Sequence, residues 1–428
     1  MGKRNGPAGI ASALSIALLA ACDNSSNSGS DDGDTAIKVG VFMNLTVSGA
    51  AGTQDELYRT FVLAAKEINE AGGINGRKME LVPGDSKRDT ASARLAARYL
   101  IDTAKVDAIV GGQSSATTLV ASSEAIRAGI PLITSGSTST AISYLEDQDL
   151  VWRTVVSDKF QGKVAATLAK KTFGASKAAI LYRDNAYGAG LAKEFKTHFA
   201  AQGGTIAKEV HYSDDSASGA GFDGMAKRMV DTLLETPVDL VYLVSFDTEP
   251  ISVAKHILAK TGAEKLPILL GCDGNAMEQI RNWDVAWYSK FFSVTVKSDE
   301  RGKPFQTFSK NFQAHTGFSN PGYPTAYDAL YLLGLAMAKA SSTRGADVAA
   351  ALPALSGTGA TGATKVYPGE FQKALDLLKQ GGSVDYDGAS GTLEFDAAGD
   401  VTDGYYMCNE YSTGDAVVKA GFEYIGIE

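Results

Sequence analysis

From residue 37 onward, short apolar runs alternate with stretches in which apolar residues return every three or four positions. The first kind of segment predicts buried strands and the second predicts helices with one apolar face. Residues 37–42 make a strand that ends in a polar loop, 44–54. Leu57, Phe61, Ala64, Ala65 and Ile68 then recur at helical spacing, with Asp55 and Glu56 at the predicted start, where the helix dipole favours acids. Gly72 and Gly73 stop that helix. A strand over 79–82, a helix over 90–105 carrying Leu95, Tyr99 and Leu100 on one face, and a strand over 107–110 follow. After a Gly-Gly-Gln-Ser-Ser-Ala-Thr-Thr loop come a helix over 119–128 and a strand over 130–134. The alternation resumes after about residue 155, with strands over 178–182, 210–212, 240–244 and 268–270, and helices over 191–202, 223–235 and 251–260. Beyond a strand at 291–296 the chain reads as mostly helical to residue 379, then as short strand-like pieces from 393. Two blocks of alternating strands and helices predict an α/β protein with two doubly wound, Rossmann-like lobes, each a parallel sheet with helices on both faces.

The first 35 residues break this pattern. Lys3 and Arg4 precede a short apolar stretch, 10–21, which is too short to span a bilayer and reads as a secretion signal. It ends Leu19-Ala20-Ala21-Cys22, which resembles a bacterial lipobox, in which the cysteine thiol carries a diacylglycerol; the alternative is an ordinary secretory signal with an incidental cysteine. Residues 23–34 are mostly Asp, Asn, Ser and Gly, with nothing apolar to pack, and predict a flexible leash. The expected organisation is therefore a signal peptide over 1–21 and a tether over 22–35, with the soluble body held outside the cytoplasm. Asp23 directly after the cysteine resembles Gram-negative lipoproteins that stay at the inner membrane, on its periplasmic face.

Composition narrows the function by exclusion. The 428 residues suggest two or three domains, and 17 Phe with 17 Tyr supply ample core material. A net charge of −9, from 40 Lys+Arg against 49 Asp+Glu, without a basic run in the body, argues against nucleic-acid binding. Three Cys and four His leave little for zinc ribbons or iron–sulfur clusters, so no metal or other cofactor is expected. Gly357-Thr-Gly-Ala-Thr-Gly362 satisfies the dinucleotide G-x-G-x-x-G pattern but lacks a preceding strand, and reads as a loop. The chain holds no Walker A, HExxH or G-x-S-x-G sequence.

A family resemblance rests on several motifs in order along the chain. They are Ile68-Asn-Glu-Ala-Gly-Gly-Ile-Asn-Gly-Arg-Lys78 with Asp85, Ile109-Val-Gly-Gly-Gln-Ser-Ser115 and Gly129-Ile-Pro-Leu-Ile-Thr134. Further on come Arg183-Asp-Asn-Ala-Tyr-Gly-Ala-Gly-Leu191, Asp239-Leu-Val-Tyr242, Leu270-Gly-Cys-Asp273 and Tyr386-Asp-Gly-Ala-Ser-Gly391 with Phe395-Asp396. Together they resemble type 1 periplasmic binding proteins, in particular the branched-chain-amino-acid type of ABC-transporter substrate-binding protein. The resemblance implies two lobes joined by a three-segment hinge, with 36–154 plus 297–384 as the N-terminal lobe and 155–296 plus 385–428 as the C-terminal lobe. It also implies a non-enzymatic protein that closes around a small amino-acid-like ligand and docks on an ABC permease.

The residues at the expected cleft can be matched one by one. Ser114, Ser115, Thr117 and Thr118 lie between a strand's carboxyl end and a helix start, where free backbone N–H groups and the helix dipole favour an anion. By resemblance, Ser115 binds the ligand carboxylate, Thr138 donates to it, and the Gly136 carbonyl accepts from the ammonium. Tyr187 closes over the ligand and Asp273 pairs the ammonium, in a position where the family usually has Glu. Phe246 stands where a tyrosine is usual, and the 44–54 loop lacks the usual aromatic, so the side-chain pocket differs from one for leucine. Each residue has a plainer reading as well: a helix cap for the Ser/Thr segment and Asp273, and interlobe packing for Tyr187. Cys272 and Cys408, the thiols left after lipidation, form either one disulfide or two buried free thiols. Rival functions are a ligand sensor of a signalling system, a hydrolase using Ser115 as nucleophile, and a binder of a non-amino-acid carboxylate or amide.

Overall fold

Six of the seven residues of β1 (Ile37–Met43) are buried, as a parallel strand covered on both faces requires. The computed structural model describes residues 36–46, 51–213, 221–246, 249–275, 290–356, 362–410 and 422–426. The signal and tether with Cys22, the region around Met277 and Ile280, and most of the Gly357–Gly362 motif lie outside the described residues.

After β1 come α1 (Ala51–Glu70), β2 (Met79–Asp85), α2 (Thr90–Arg98), β3 (Ala108–Gly111), α3 (Ser115–Ala128), β4 (Leu132–Thr134) and β5 (Val151–Arg153). The strands pair in the order β2-β1-β3-β4-β5, parallel throughout. The second block contains α4 (Asp158–Thr167), β6 (Lys177–Asp184), α5 (Ala186–Ala201), β7 (Thr205–Ser213), α6 (Phe222–Leu233), β8 (Leu240–Val244), α7 (Glu249–Thr261), β9 (Ile268–Gly271) and β10 (Phe291–Lys297). Helices α8 (Lys303–Thr316), α9 (Pro324–Ala340) and α10 (Gly345–Ala351) follow, then β11 (Thr364–Val366), α11 (Phe371–Lys379), β12 (Val384–Tyr386), β13 (Asp403–Glu410) and β14 (Phe422–Gly426). The second sheet runs β14-β13-β10-β9-β8-β6-β7, with β13 and β14 antiparallel to their neighbours and the other pairs parallel. Strands β11 and β12 pair in a small parallel sheet of their own.

Helix α9 returns to the first sheet, lying against α1, α10 and α11 and reaching β3 and β4. Every residue from Ala326 to Ala338 is buried, so this helix is apolar all round because it is enclosed all round.

Four elements depart from the periodicity. Helix α1 begins at Ala51, which places Asp55 and Glu56 in its second turn, where Asp55 pairs with Arg59. Helix α2 ends at Arg98 and continues as a π turn, Tyr99–Thr103; its inward face is Ala93, Ala96, Ala97 and Leu100, while Leu95 is 72% and Tyr99 48% exposed. Leu100 sets this rotation. Its side chain fills the space over Gly40 and Gly84, where an added Cβ would come within 2.9 and 2.7 Å of Leu100 Cδ1. Helix α3 starts at Ser115, one turn earlier than its apolar residues indicate, and α4 has no counterpart in the apolar pattern.

The chain passes between the two sheets at a buried ion pair. Arg153 ends β5 with no exposed surface, and its Nε donates to Asp400 Oδ1 at 2.6 Å. Its remaining donors reach the Thr138 and Ser139 carbonyls and the Ser143 and Ser157 hydroxyls, at 2.6 to 3.0 Å. All five guanidinium N–H groups are therefore used. Among the described residues no helix is long and apolar enough to cross a membrane.

Candidate functional site

The carboxyl ends of β3 and β4 build one wall. Gly111 and Gly112 take φ of 110° and 83°, a left-handed turn that favours glycine, and a Cβ at Gly112 would lie 2.4 Å from Thr118 Oγ1. That turn delivers Ser114 as the extended N-cap of α3, without a side-chain capping bond, and Ser115 as its first residue. The buried Ser115 hydroxyl accepts from the Ser139 amide at 3.2 Å, fixing it against the loop after β4. Gly136 in that loop lies against Gly112 and Gln113. Thr138 is buried, and its carbonyl accepts from Arg153 Nη1 at 2.9 Å and from the Asp158 amide at 2.8 Å.

Helices α4 and α5 and the loop after β9 build the other wall. Asn185 caps α5 by accepting from the Tyr187 and Gly188 amides, which sets Tyr187 in the first turn. The buried Tyr187 hydroxyl donates to Asp273 Oδ1 at 2.5 Å and lies 3.0 Å from Cys272 Sγ, while the Gly274 amide donates to it at 3.3 Å. The Asp273 amide in turn donates to Gln161 Oε1 at 3.3 Å. Next to this group sits Asp158, fully buried, whose carboxylate oxygens make no close hydrogen bond among the described residues, the Thr138 side chain being the polar group that interacts with them; the Tyr242 hydroxyl likewise has no close partner among the described residues. Burial, and next the neighbouring Asp273 charge, push the Asp158 carboxyl well above the ordinary carboxylate range, and Thr138 and Arg153 offset only part of this. Burial also raises Asp273, against the Tyr187 and Gln161 hydrogen bonds that lower it. A fully buried acid beside a second, half-buried one cannot ionise cheaply together with it unless a cation joins them.

Phe246, after β8, stacks at 5.0 Å from the Tyr187 ring. Arg88, after β2, and Arg183, at the end of β6, stand 5.1 and 4.9 Å over the same Phe246 ring. Arg183 also pairs with Glu249, which accepts from the Tyr212 hydroxyl and the Phe246 amide. The two walls meet where Ser139 Oγ donates to the Ala186 carbonyl at 2.6 Å, and where Gly190 packs against Thr140.

Of the residues marked from the sequence, Ser115, Gly136 and Thr138 share the first wall with the cap Ser114, and Tyr187, Phe246 and Asp273 share the second. Asp158 and Gln161 were not among them. The only trace of Asp158 in the sequence is an acid after Ser157, the ordinary beginning of a helix. The thiol pair resolves toward the free alternative: Cys272 and Cys408 are both unbonded. Gly271, just before Cys272, pairs with Ser293 on one side of β10, and Cys408 pairs with Val294 on the other. Two strand spacings, roughly 9–10 Å, exceed the reach of a disulfide. Among the described residues no group of three His, Cys, Asp or Glu side chains could hold a metal ion.

Comparison with known proteins agrees with this architecture. The periplasmic binding protein family model matches residues 36–376. The chemotactic signal transduction system substrate-binding protein BasB of Halobacterium salinarum is 27% identical over 380 residues, 87% of this chain and 86% of that protein. A Leu/Ile/Val-binding protein homologue from Brucella suis is 28% identical over 231 residues, 51% of this chain and about half (54%) of the relative. In fold the chain is similar to the LivJ substrate-binding protein of Streptococcus pneumoniae in complex with isoleucine, with a TM-score of 0.68 and 21% identity over 92% of this chain and 100% of that one. It is also similar to a solute-binding protein from R. palustris in complex with benzoate, with a TM-score of 0.67 and 19% identity over 92% and 98% of the two chains.

Proposed function

This chain belongs to the periplasmic binding protein family, with the type 1 fold of its branched-chain-amino-acid type, and on that premise we propose that it traps a small α-amino acid between two lobes as the receptor of an ABC importer. Family membership makes it an extracytoplasmic binding protein rather than an enzyme. In this reading residues 36–154 and 297–384 form one lobe, and 155–296 and 385–428 the other. Cys22 carries the lipid that holds the body at the periplasmic face of the inner membrane, and a permease of that membrane takes the ligand from the closed form.

The observation that carries the reading is the pair Asp158, fully buried, and Asp273, half-buried, side by side next to Tyr187 and adjoining the Ser115–Thr138 wall. An α-amino acid meets both demands at once. Its ammonium supplies the cation that the two acids lack, and its carboxylate lies at the start of α3, where Ser115 and the first backbone amides favour an anion. Contacts from both walls exist together only when the lobes are closed, so the ligand shifts the open–closed equilibrium toward closure. The test is a thermal-shift screen of the unfolded and refolded protein against amino acids, simple carboxylates, amides and sugars. A ligand at 100 times its dissociation constant adds about 2.7 kcal/mol of stability. A response to α-amino acids but not to their des-amino analogues supports the reading; equal responses to both remove the ammonium role of the acids.

A second reading keeps the ligand and changes the listener. The Halobacterium relative, aligned over most of both chains, serves a chemotactic system, which supports a receptor that reports its ligand to a transducer. Uptake of labelled ligand that survives deletion of the gene, with chemotaxis lost, would favour it.

A further inference from the structure

Nine of the chain's 40 basic residues, but only two of its 49 acidic ones, fall between positions 159 and 208, a net +7 in a chain whose total is −9. This stretch folds into α4, the π turn Leu168–Thr172 that extends it, β6, α5 and the start of β7. The two helices lie side by side and touch at Gly162, where an added Cβ would stand 2.4 Å from Glu194 Cβ. Lys163 and Lys193, next to the two contacting residues, are exposed. Lys170 and Lys171 continue the face; Lys170 Nζ stands 5.6 Å over the Phe199 ring of α5, and Lys171 is exposed. The nearby acids do not neutralise this face. Glu194 is half-buried between the helices, Glu209 pairs with Lys196, and Asp239 accepts from the Ser176 and Lys177 amides. Lys163, Lys171 and Lys193 enter no ion pair among the described residues.

A basic face on an acidic protein attracts an anionic surface that the rest of the molecule repels. At physiological ionic strength charges are screened beyond about 8 Å, so the face turned toward such a surface decides the sign of the interaction. The partner is a headgroup layer rather than a protein. Protein interfaces centre on apolar and aromatic side chains and are depleted in Lys. The exposed large apolar side chains of the described residues are Leu95, Tyr99 and Tyr144, all outside this stretch. The covalent path from Cys22 to Ala36 is 14 residues, which reach at most about 50 Å, whereas a body the size of residues 36–428 has a radius of gyration of about 20 Å. A bilayer at the end of that path is within reach of any face, and charge selects among them. We propose that the α4–α5 face rests on anionic phospholipid headgroups through Lys163, Lys170, Lys171 and Lys193, and so sets how the body sits on the membrane. The assignment rests on the lipid-anchor reading above, which supplies the nearness, and adds the face that turns down.

The test uses the full chain, produced with its signal in a bacterial host, purified in detergent and reconstituted on vesicles. One set of vesicles is phosphatidylcholine alone, and the other is phosphatidylcholine mixed with an equal part of phosphatidylglycerol. Brief acetylation read by mass spectrometry reports the accessibility of each lysine. Labelling of Lys163, Lys171 and Lys193 is expected to fall at least threefold on the phosphatidylglycerol vesicles, relative to Lys105 and Lys379, which are exposed on the helices around the first sheet. Molar salt is expected to abolish the difference. Equal labelling on the two kinds of vesicle overturns the inference and leaves the anchor intact. A protein that floats with neither vesicle overturns the anchor and the inference with it. Protection by soluble polyglutamate but not by phosphatidylglycerol overturns the membrane assignment in favour of an acidic protein partner. In Lys163→Glu/Lys193→Glu, two exposed changes that leave the fold intact, Lys171 is expected to lose its protection, and protection that persists there overturns the role of the face.

Discussion

The Tyr187 hydroxyl donates to Asp273 Oδ1 at 2.5 Å, joining the first turn of α5 to the loop after β9 across the mouth of the second sheet. This bond orients the acid and stabilises its charged form against burial, which raises its pKa. Tyr187→Phe keeps the ring over Phe246 and removes only the donor. Loss of a hydrogen bond to a charged group costs about 1.5–3 kcal/mol, so calorimetry should show amino-acid affinity reduced about 10- to 150-fold. An unchanged affinity would mean that Asp273 is held by other groups.

Asp158→Asn should separate stability from binding. The substitution removes the charge of Asp158, a fully buried carboxylate beside Asp273 whose oxygens make no close hydrogen bond among the described residues. The unliganded protein should gain about 1–3 kcal/mol, read as a higher urea midpoint, while its thermal response to amino acids disappears. A variant that is less stable and still binds would contradict the ammonium role.

Acidity should affect the free and the liganded protein in opposite ways. Burial raises Asp158 and Asp273, and it pushes Asp328 up to about 6 from 3.8. At these three groups the folded state therefore holds more protons than the unfolded chain between pH 4 and 6, and their contribution to stability falls as pH rises through that window. Asp328 alone accounts for about 2 kcal/mol of the fall within that window. Ligand binding needs the acids charged, so the stabilisation added by an amino acid should grow over the same interval. Denaturation midpoints with and without ligand from pH 4 to 7 measure both trends.

Gly190 limits how closely the walls approach. A Cβ there would stand 2.9 Å from Thr140 Oγ1, and a Leu side chain would fill the seam. Gly190→Leu should leave the radius of gyration unchanged on adding ligand, whereas the parent protein contracts in small-angle scattering.

Asp400→Ala would leave the Arg153 guanidinium buried and uncompensated. Breaking a buried pair in this way costs about 3–5 kcal/mol. Because Arg153 also holds the Thr138 and Ser139 carbonyls, ligand affinity should fall together with the urea midpoint.

The strands were readable because they are continuous apolar runs, and the ligand wall at Ser115 and Thr138 because open α/β sheets place their sites at strand carboxyl ends. The rest of the site depended on contacts between distant segments. Asp158 carries the same local signal as any first-turn acid, and only the fold places it beside Asp273. Arg88, Arg183 and Phe246 are far apart in sequence and meet only when the two sheets are packed together. Leu95 and Leu100 are the same residue type on one short helix, and glycines in β1 and β2 decide which of them turns inward. The separation of Cys272 from Cys408 follows from β10 lying between their strands, which is a matter of sheet order.

Helix α9 has a consequence for how the protein is made. The first sheet is complete in sequence at Arg153, yet part of one of its faces is covered by a helix that begins at Pro324. A chain emerging from a ribosome or a translocation pore therefore presents that apolar surface uncovered while the whole second block is still being delivered. The lobe that is written first is finished late, and any factor that escorts the nascent chain has to guard it through most of the chain's synthesis.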